Sequence, residues 1–160
     1  YLNVGSAWGV ATGNPKSFDT SNPCGTTIAV QTGTAQETYA QELSKQCEAD
    51  GKGKITIMPH ELQTDIATKI ISGQYDATLA DSTVIGYTAA GSSGKIEQLG
   101  DVFESAPQGV AIAKDDAELT EAVQQAMQYL MDNGYLEDIL AHYGADSAAL
   151  STAELNPTVD

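Results

Sequence analysis

Arginine is absent from these 160 residues, and the seven basic side chains, all lysines, face 22 aspartates and glutamates. Nucleic-acid binding needs a basic footprint and favours the arginine fork. A formal net charge of −15 therefore argues against a nucleic-acid partner and against docking on an anionic membrane. Its plain meaning is solubility. Long apolar runs are missing too, since nothing approaches the roughly 20 residues that span a bilayer. No signal-peptide pattern is visible, and the chain opens at Tyr1 on YLNVGSAWGVATG, which reads as the middle of a strand. The expectation is that residues have been removed upstream. Cysteine is scarce: Cys24 and Cys47 form no C-x-x-C pair, and neither His60 nor His142 lies near them in sequence. A metal site is a poor fit, and no cofactor motif is present.

What is there is enough for one folded domain. Hydrophobic residues make up 41% of the chain, so a core can form. Residues 4–12 alternate small and apolar side chains and read as a strand, followed by a proline-containing loop over 13–25. TTIAVQ (26–31), KITIMP (54–59), YDATLA (75–80), IEQLG and GVAIAK (109–114) read as further strands, the fourth of these weak. Between them run helical patterns. One spans about 34–49, with Tyr39, Leu43 and Cys47 on one face. A second covers 61–72, with Leu62, Ile66 and Ile70 stacked at spacing four, and a short third runs from Ser82 or Thr83 to about Ala90. The last third is helical, with apolar faces over 119–130 and 136–143 and one more turn expected at 151–155. Met127, Tyr129, Leu130 and Met131 read as core. Alternation of strand and helix predicts an α/β fold with an open parallel sheet built from βαβ units.

This arrangement gives the cysteines a relation. Cys24 precedes a strand and Cys47 ends the helix that returns antiparallel to it. A Cys24–Cys47 disulfide is expected, with two buried free thiols as the alternative.

Ligands of open parallel sheets bind at the carboxyl ends of the strands. Three loops qualify: 31–36, 59–63 and 80–84. In QTGTAQE, Thr34 and Glu37 form a capping box, and the free N–H groups at Thr34, Ala35 and Gln36 can receive a small anion such as a carboxylate. An ordinary helix cap is the alternative. Asp81, at the end of LAD, can accept hydrogen bonds from an ammonium group or serve only as an N-cap. Together an anion-binding helix start and a carboxylate match a zwitterion, the head group of an α-amino acid. His60, a loop histidine, and His142 read as solvated, and no G-x-S-x-G, H-E-x-x-H or phosphate-binding loop is present.

The stretches CGTTIAVQTGTAQETY, GQYDATLADSTV and PQGVAIAKDDAELTEAVQQAMQYLMDNGYLEDILAHYG together resemble the amino-acid family of ABC-transporter solute-binding proteins, collinearly over nearly the whole chain. The resemblance implies the type II periplasmic-binding-protein fold, two α/β lobes closing on an amino acid, with no bond made or broken. It implies that 1–12 form a hinge strand and the entry from lobe 1, 13–108 the second, ligand-binding lobe, 109–114 a second hinge strand, and 115–160 C-terminal helices belonging to lobe 1. Thr34 with the N–H groups of Ala35 and Gln36 matches the carboxylate site, Asp81 the amino-group site, and Gln31 a further ligand contact. The family's first lobe supplies an arginine that this chain lacks, which points to a fragment. Without that lobe, the apolar faces of the last helices are expected to pack on the second lobe or on a second copy of the chain. Gln31, His60, Glu61, Gln63 and Gln108 favour a polar ligand. The implied partners are the ligand and the transmembrane permease subunits. The implied location is outside the cytoplasmic membrane, with a lipid anchor in the full-length protein. The alternatives on the same fold are a dehydratase, with His60, Glu61 or Asp81 as acid or base, and a sensor domain.

Overall fold

A computed structural model describes residues 1–158 of the chain; the last two positions of the segment 115–160 lie outside the described residues. The elements run β1 (Leu2–Ala11), β2 (Thr27–Gln31), α1 (Ala35–Ala49), β3 (Thr56–His60), α2 (Gln63–Ile71), β4 (Ala77–Asp81), α3 (Ser82–Gly91), β5 (Ile96–Gln108), α4 (Ala117–Asp132) and α5 (Tyr135–His142), with a 3₁₀ turn at Asp146–Ala148. One sheet has the order β3-β2-β4-β1-β5. The pairs β2–β3 and β2–β4 are parallel, as the βαβ reading requires. β1 runs antiparallel to both β4 and β5, so the sheet is mixed and not wholly parallel. The reason is connectivity: β1 reaches β2 through an irregular loop without a helix, so no crossover forces it parallel.

Side chains alternate across the sheet. Trp8, Val10, Ile28, Val30, Ala77 and Leu79 point to one face and pack with Ala40 and Cys47 of α1. Ala29 points to the other face, where it meets Ile66 and Ile70 of α2 with Tyr75 and Ile96. Ala7 and Ala80 meet Ile85 of α3. Each fully buried isoleucine or leucine contributes roughly 1.5–3 kcal/mol. The buried stripe of α1 is Gln36, Ala40, Ser44 and Cys47; of the predicted line Tyr39, Leu43 and Cys47, only Cys47 belongs to it, and the other two are partly buried against the same core. Two polar residues in the stripe explain the shift. The Ser44 hydroxyl accepts from Ile55 N (3.1 Å) and donates to Ile55 O (3.2 Å), tying the chain just before β3 to the helix.

The disulfide is present, joining Cys24 to Cys47 with their Cα atoms 5.5 Å apart. It ties the carboxyl end of α1 to the chain just before β2.

Two expectations fail towards the C-terminus. Residues 109–114 are not a strand; the ladder with β1 ends at the Leu2–Gln108 pair, and backbone with no facing strand cannot continue a sheet. The segment expected to be weak is instead the long β5. The extra turn falls at Asp146–Ala148 and not at 151–155.

α5 docks on this chain through its end. Leu136, Ala145 and Ala148 are buried, Leu150 N donates to Tyr1 O (3.1 Å), and Leu2 bridges Ala149. The approach is closest where a β-carbon on Gly86 of α3 would overlap the Gly144 carbonyl oxygen, so only glycine fits there. α4 has no buried residue. Its expected core cluster is half-exposed, Met127, Leu130 and Met131 being partly covered and Tyr129 open, because α4 packs mainly on α5 and bonds the tail through Gln124 and Gln128.

Two outcomes follow. Replacing both Cys24 and Cys47 by serine is expected to lower unfolding stability by about 3 kcal/mol in the chain-entropy view, read by denaturant melts. An unchanged midpoint would show that the bridge adds nothing. Gly86→Ala is expected to raise hydrogen exchange at the Ala145 and Leu150 amides while leaving those of β2 protected. Unchanged exchange at both would mean that the glycine contact does not hold the C-terminal segment.

Candidate functional site

The alternation that builds the core also builds the site. Ser6 lies two residues before Trp8, and Asp81 two after Leu79, so both face the α1 layer; they are register partners in the β1–β4 ladder. Gln36 is the first member of the α1 buried stripe, at the carboxyl end of β2. Its Nε2 donates to Asp81 Oδ1 at 2.8 Å and to Ser6 Oγ at 3.2 Å. Three elements thus converge on one amide.

Beside it, Gly33 takes φ +78°, letting β2 turn sharply into α1. Thr34 caps the helix: its hydroxyl accepts from Glu37 N (3.2 Å) and donates to Gln31 O (2.7 Å). Glu37 closes the box one residue earlier than the usual pattern, accepting from Gly33 N at 2.7 Å. Glu37 N–H is therefore satisfied, whereas the Ala35 and Gln36 N–H groups have no protein acceptor among the described residues. The positive end of the α1 dipole lies behind them.

Asp81 occupies the N-cap position of α3 but makes no side-chain capping bond. The expected alternative, an N-cap aspartate, therefore fails, and the carboxylate turns to Gln36 instead.

Gln31, Thr34, Gln36, Gln63, Leu79, Ala80, Asp81 and Val84 line one open depression of about 50 Å³. Four of the five nominated residues come together there; Ala35 begins the helix but does not line the depression. Gln36 enters by its side chain as well as its backbone. Gln31 is exposed, its amide donating to Glu61 O at 3.1 Å. Ser6 was missed, being one polar residue in a small, apolar strand; its period-two relation to Trp8 was the available signal. Gln63 lines the depression with Oε1 buried and unpartnered.

His60 is not a cleft residue. Its Nε2 lies 3.0 Å from the Tyr75 hydroxyl, and the ring packs on Tyr75 and outside the depression. Glu61 is exposed and Gln108 sits at the far end of β5, where its carbonyl accepts from the Tyr1 ammonium at 2.8 Å. Elsewhere on the α1 layer, Tyr39 packs on Phe103, and burial and then the charge of Glu104 hold its phenol above its ordinary value. Among the described residues no group of His, Cys, Asp and Glu is arranged to hold a metal.

No protein-family model matches the chain. It is 40% identical over 157 residues to the arginine-binding protein ArgT of Corynebacterium glutamicum, covering 98% of this chain and 51% of that protein. Its fold matches an ancestral cationic amino acid solute-binding protein, AncCDT-1 (TM-score 0.74, 23% identity, 90% of this chain and 59% of that one). It also matches the amino acid ABC transporter substrate-binding protein AbpA of Streptococcus pneumoniae, bound to L-arginine (TM-score 0.65, 21% identity, 94% and 61%). At these identities the structural matches speak for the fold. The chain is thus related in sequence to part of an arginine-binding protein and has part of the fold of the amino-acid-binding proteins it matches, and it spans about half the length of that curated relative.

Proposed function

We propose that the chain supplies one wall of an amino-acid-binding cleft in an extracytoplasmic importer component, and performs no chemistry of its own. The observation that carries this reading is Asp81: a carboxylate at a strand end, released from helix capping, beside a helix start with two unengaged N–H groups. The ligand α-ammonium donates to Asp81. Its α-carboxylate accepts from the Ala35 and Gln36 N–H groups and the Thr34 hydroxyl, which can rotate from Gln31 O. In this reading the depression holds the head group. The side chain of the ligand extends past Gln31 and Gln63, whose buried Oε1 can accept from a donor on it.

This chemistry favours a polar amino acid, and the names of the relatives make arginine the first to test. The counter-charge for the ligand carboxylate comes from a facing lobe, because this chain carries no arginine. In this reading residues 13–108 form one lobe, 1–12 and 109–114 the crossings between lobes, and 115–160 belong with the other lobe. The loaded protein docks on permease subunits at the outer face of the membrane, held there by a lipid anchor. The disulfide suits an oxidising compartment. A dehydratase reading is less favoured, because His60 is turned to Tyr75 and Glu61 to solvent.

A thermal-shift screen of amino acids against the full-length protein tests the reading. L-Arginine or another polar amino acid is expected to raise the melting temperature, and Asp81→Ala to abolish the rise. Loss of one charged hydrogen bond weakens binding about ten- to a hundredfold. A screen in which no amino acid shifts the melt, or an Asp81→Ala protein that responds like wild type, would overturn it.

A further inference from the structure

We propose that Gln36 is a positioning residue that aims the Asp81 carboxylate into the cleft, with Ser6 holding Gln36 in place. The proposal rests on the reading of Asp81 as the acceptor of the ligand ammonium.

The geometry admits one orientation of the amide. An ionised carboxylate only accepts, so Nε2 must face Asp81, and both of its protons are then committed: one to Asp81 Oδ1 at 2.8 Å, one to Ser6 Oγ at 3.2 Å. A flipped amide would set its oxygen against the carboxylate. Ser6 and Gln36 are both buried, so this link is shielded from competing water. Asp81 has no other anchor on its side chain, since it does not cap α3. The amide occupies Oδ1 and leaves Oδ2 for the ligand. Without Gln36, the carboxylate can rotate about its side-chain bonds, and the ammonium meets a mobile acceptor instead of a fixed one. A single strand-end aspartate is thereby tied to β1, β4 and α1 together, and the preference for an α-ammonium becomes a property of the three elements.

The experiment compares L-arginine with argininic acid, in which a hydroxyl replaces the α-ammonium, by competition binding to the full-length protein. Four proteins are used: wild type, Gln36→Met, Ser6→Ala and Asp81→Ala. Methionine keeps the length of glutamine and removes both donors. Gln36→Met is expected to narrow the preference for L-arginine about tenfold, the effect of one hydrogen bond to a charged group. Ser6→Ala is expected to narrow it less, in the same direction, and carries the test if Gln36→Met does not fold. A purely structural role would weaken both ligands alike and leave their ratio at the wild-type value, which overturns the proposal. If Asp81→Ala collapses the ratio while Gln36→Met and Ser6→Ala keep it, the positioning role alone is wrong. If Asp81→Ala also keeps it, the ammonium site itself is wrong and the proposal falls with it.

Discussion

Helix α1 is fastened to the sheet at both ends, and the site exists because of the difference between the two fastenings. At the amino ends of the strands the Cys24–Cys47 bridge closes the layer covalently. At the carboxyl ends the Gln36 amide meets Ser6 and Asp81. Between them Ala40 lies against the apolar face, and Ser44 grips Ile55 through both backbone polar groups. An apolar residue at position 36 could pack, but it would leave Ser6 buried without this partner and Asp81 without an anchor. The stripe that fixes the helix therefore carries a polar residue at the end where a ligand can be received.

Much of this was legible in the chain. β2, α1, α2 and β4 were readable because each has the plain periodicity of its class, and the disulfide followed from where two of them begin and end. The errors have physical causes. GVAIAK is as strand-like as TTIAVQ, yet propensity makes no ladder without a facing strand. The long β5, with Gly100, Pro107 and a left-handed Glu104, has weak strand character and forms because β1 offers it a partner along its length. The α1 stripe shares Cys47 with the expected face and otherwise differs from it, because apolar periodicity does not register the burial of Gln36 and Ser44. Ser6 and the Gln36 side chain were invisible for the same reason: their burial is a tertiary fact, made tolerable by hydrogen bonds to each other and to Asp81.

A chain with net charge −15 is an unpromising place to bind a carboxylate, and the proposed reading places one at the α1 start. The global charge acts through solvent and is screened over about 8–10 Å at ordinary ionic strength. The Ala35 and Gln36 N–H groups act at contact distance, where a fixed dipole outweighs distant side chains. In the proposed reading with arginine as ligand, the same global charge draws the cation towards the protein. Attraction over distance and orientation at contact are thus supplied by different groups.

Asp81 shows what the site costs the fold. An N-cap aspartate that bonds its helix contributes about 0.5–2 kcal/mol. α3 forgoes this, since Asp81 makes no capping bond, and α3 has a glycine at position 86 in its middle, required by the contact with Gly144. This short helix is therefore weak by local measures and depends on Ile85 against Ala7 and Ala80 for its place. Restoring the cap would require the carboxylate to turn away from Gln36 and from the cleft. The cap and the bond to Gln36 compete for one side chain, and the observed rotamer makes the bond to Gln36. Local stability given up where a side chain is otherwise free to take it is the observation on which the proposed role of Asp81 as a ligand acceptor rests.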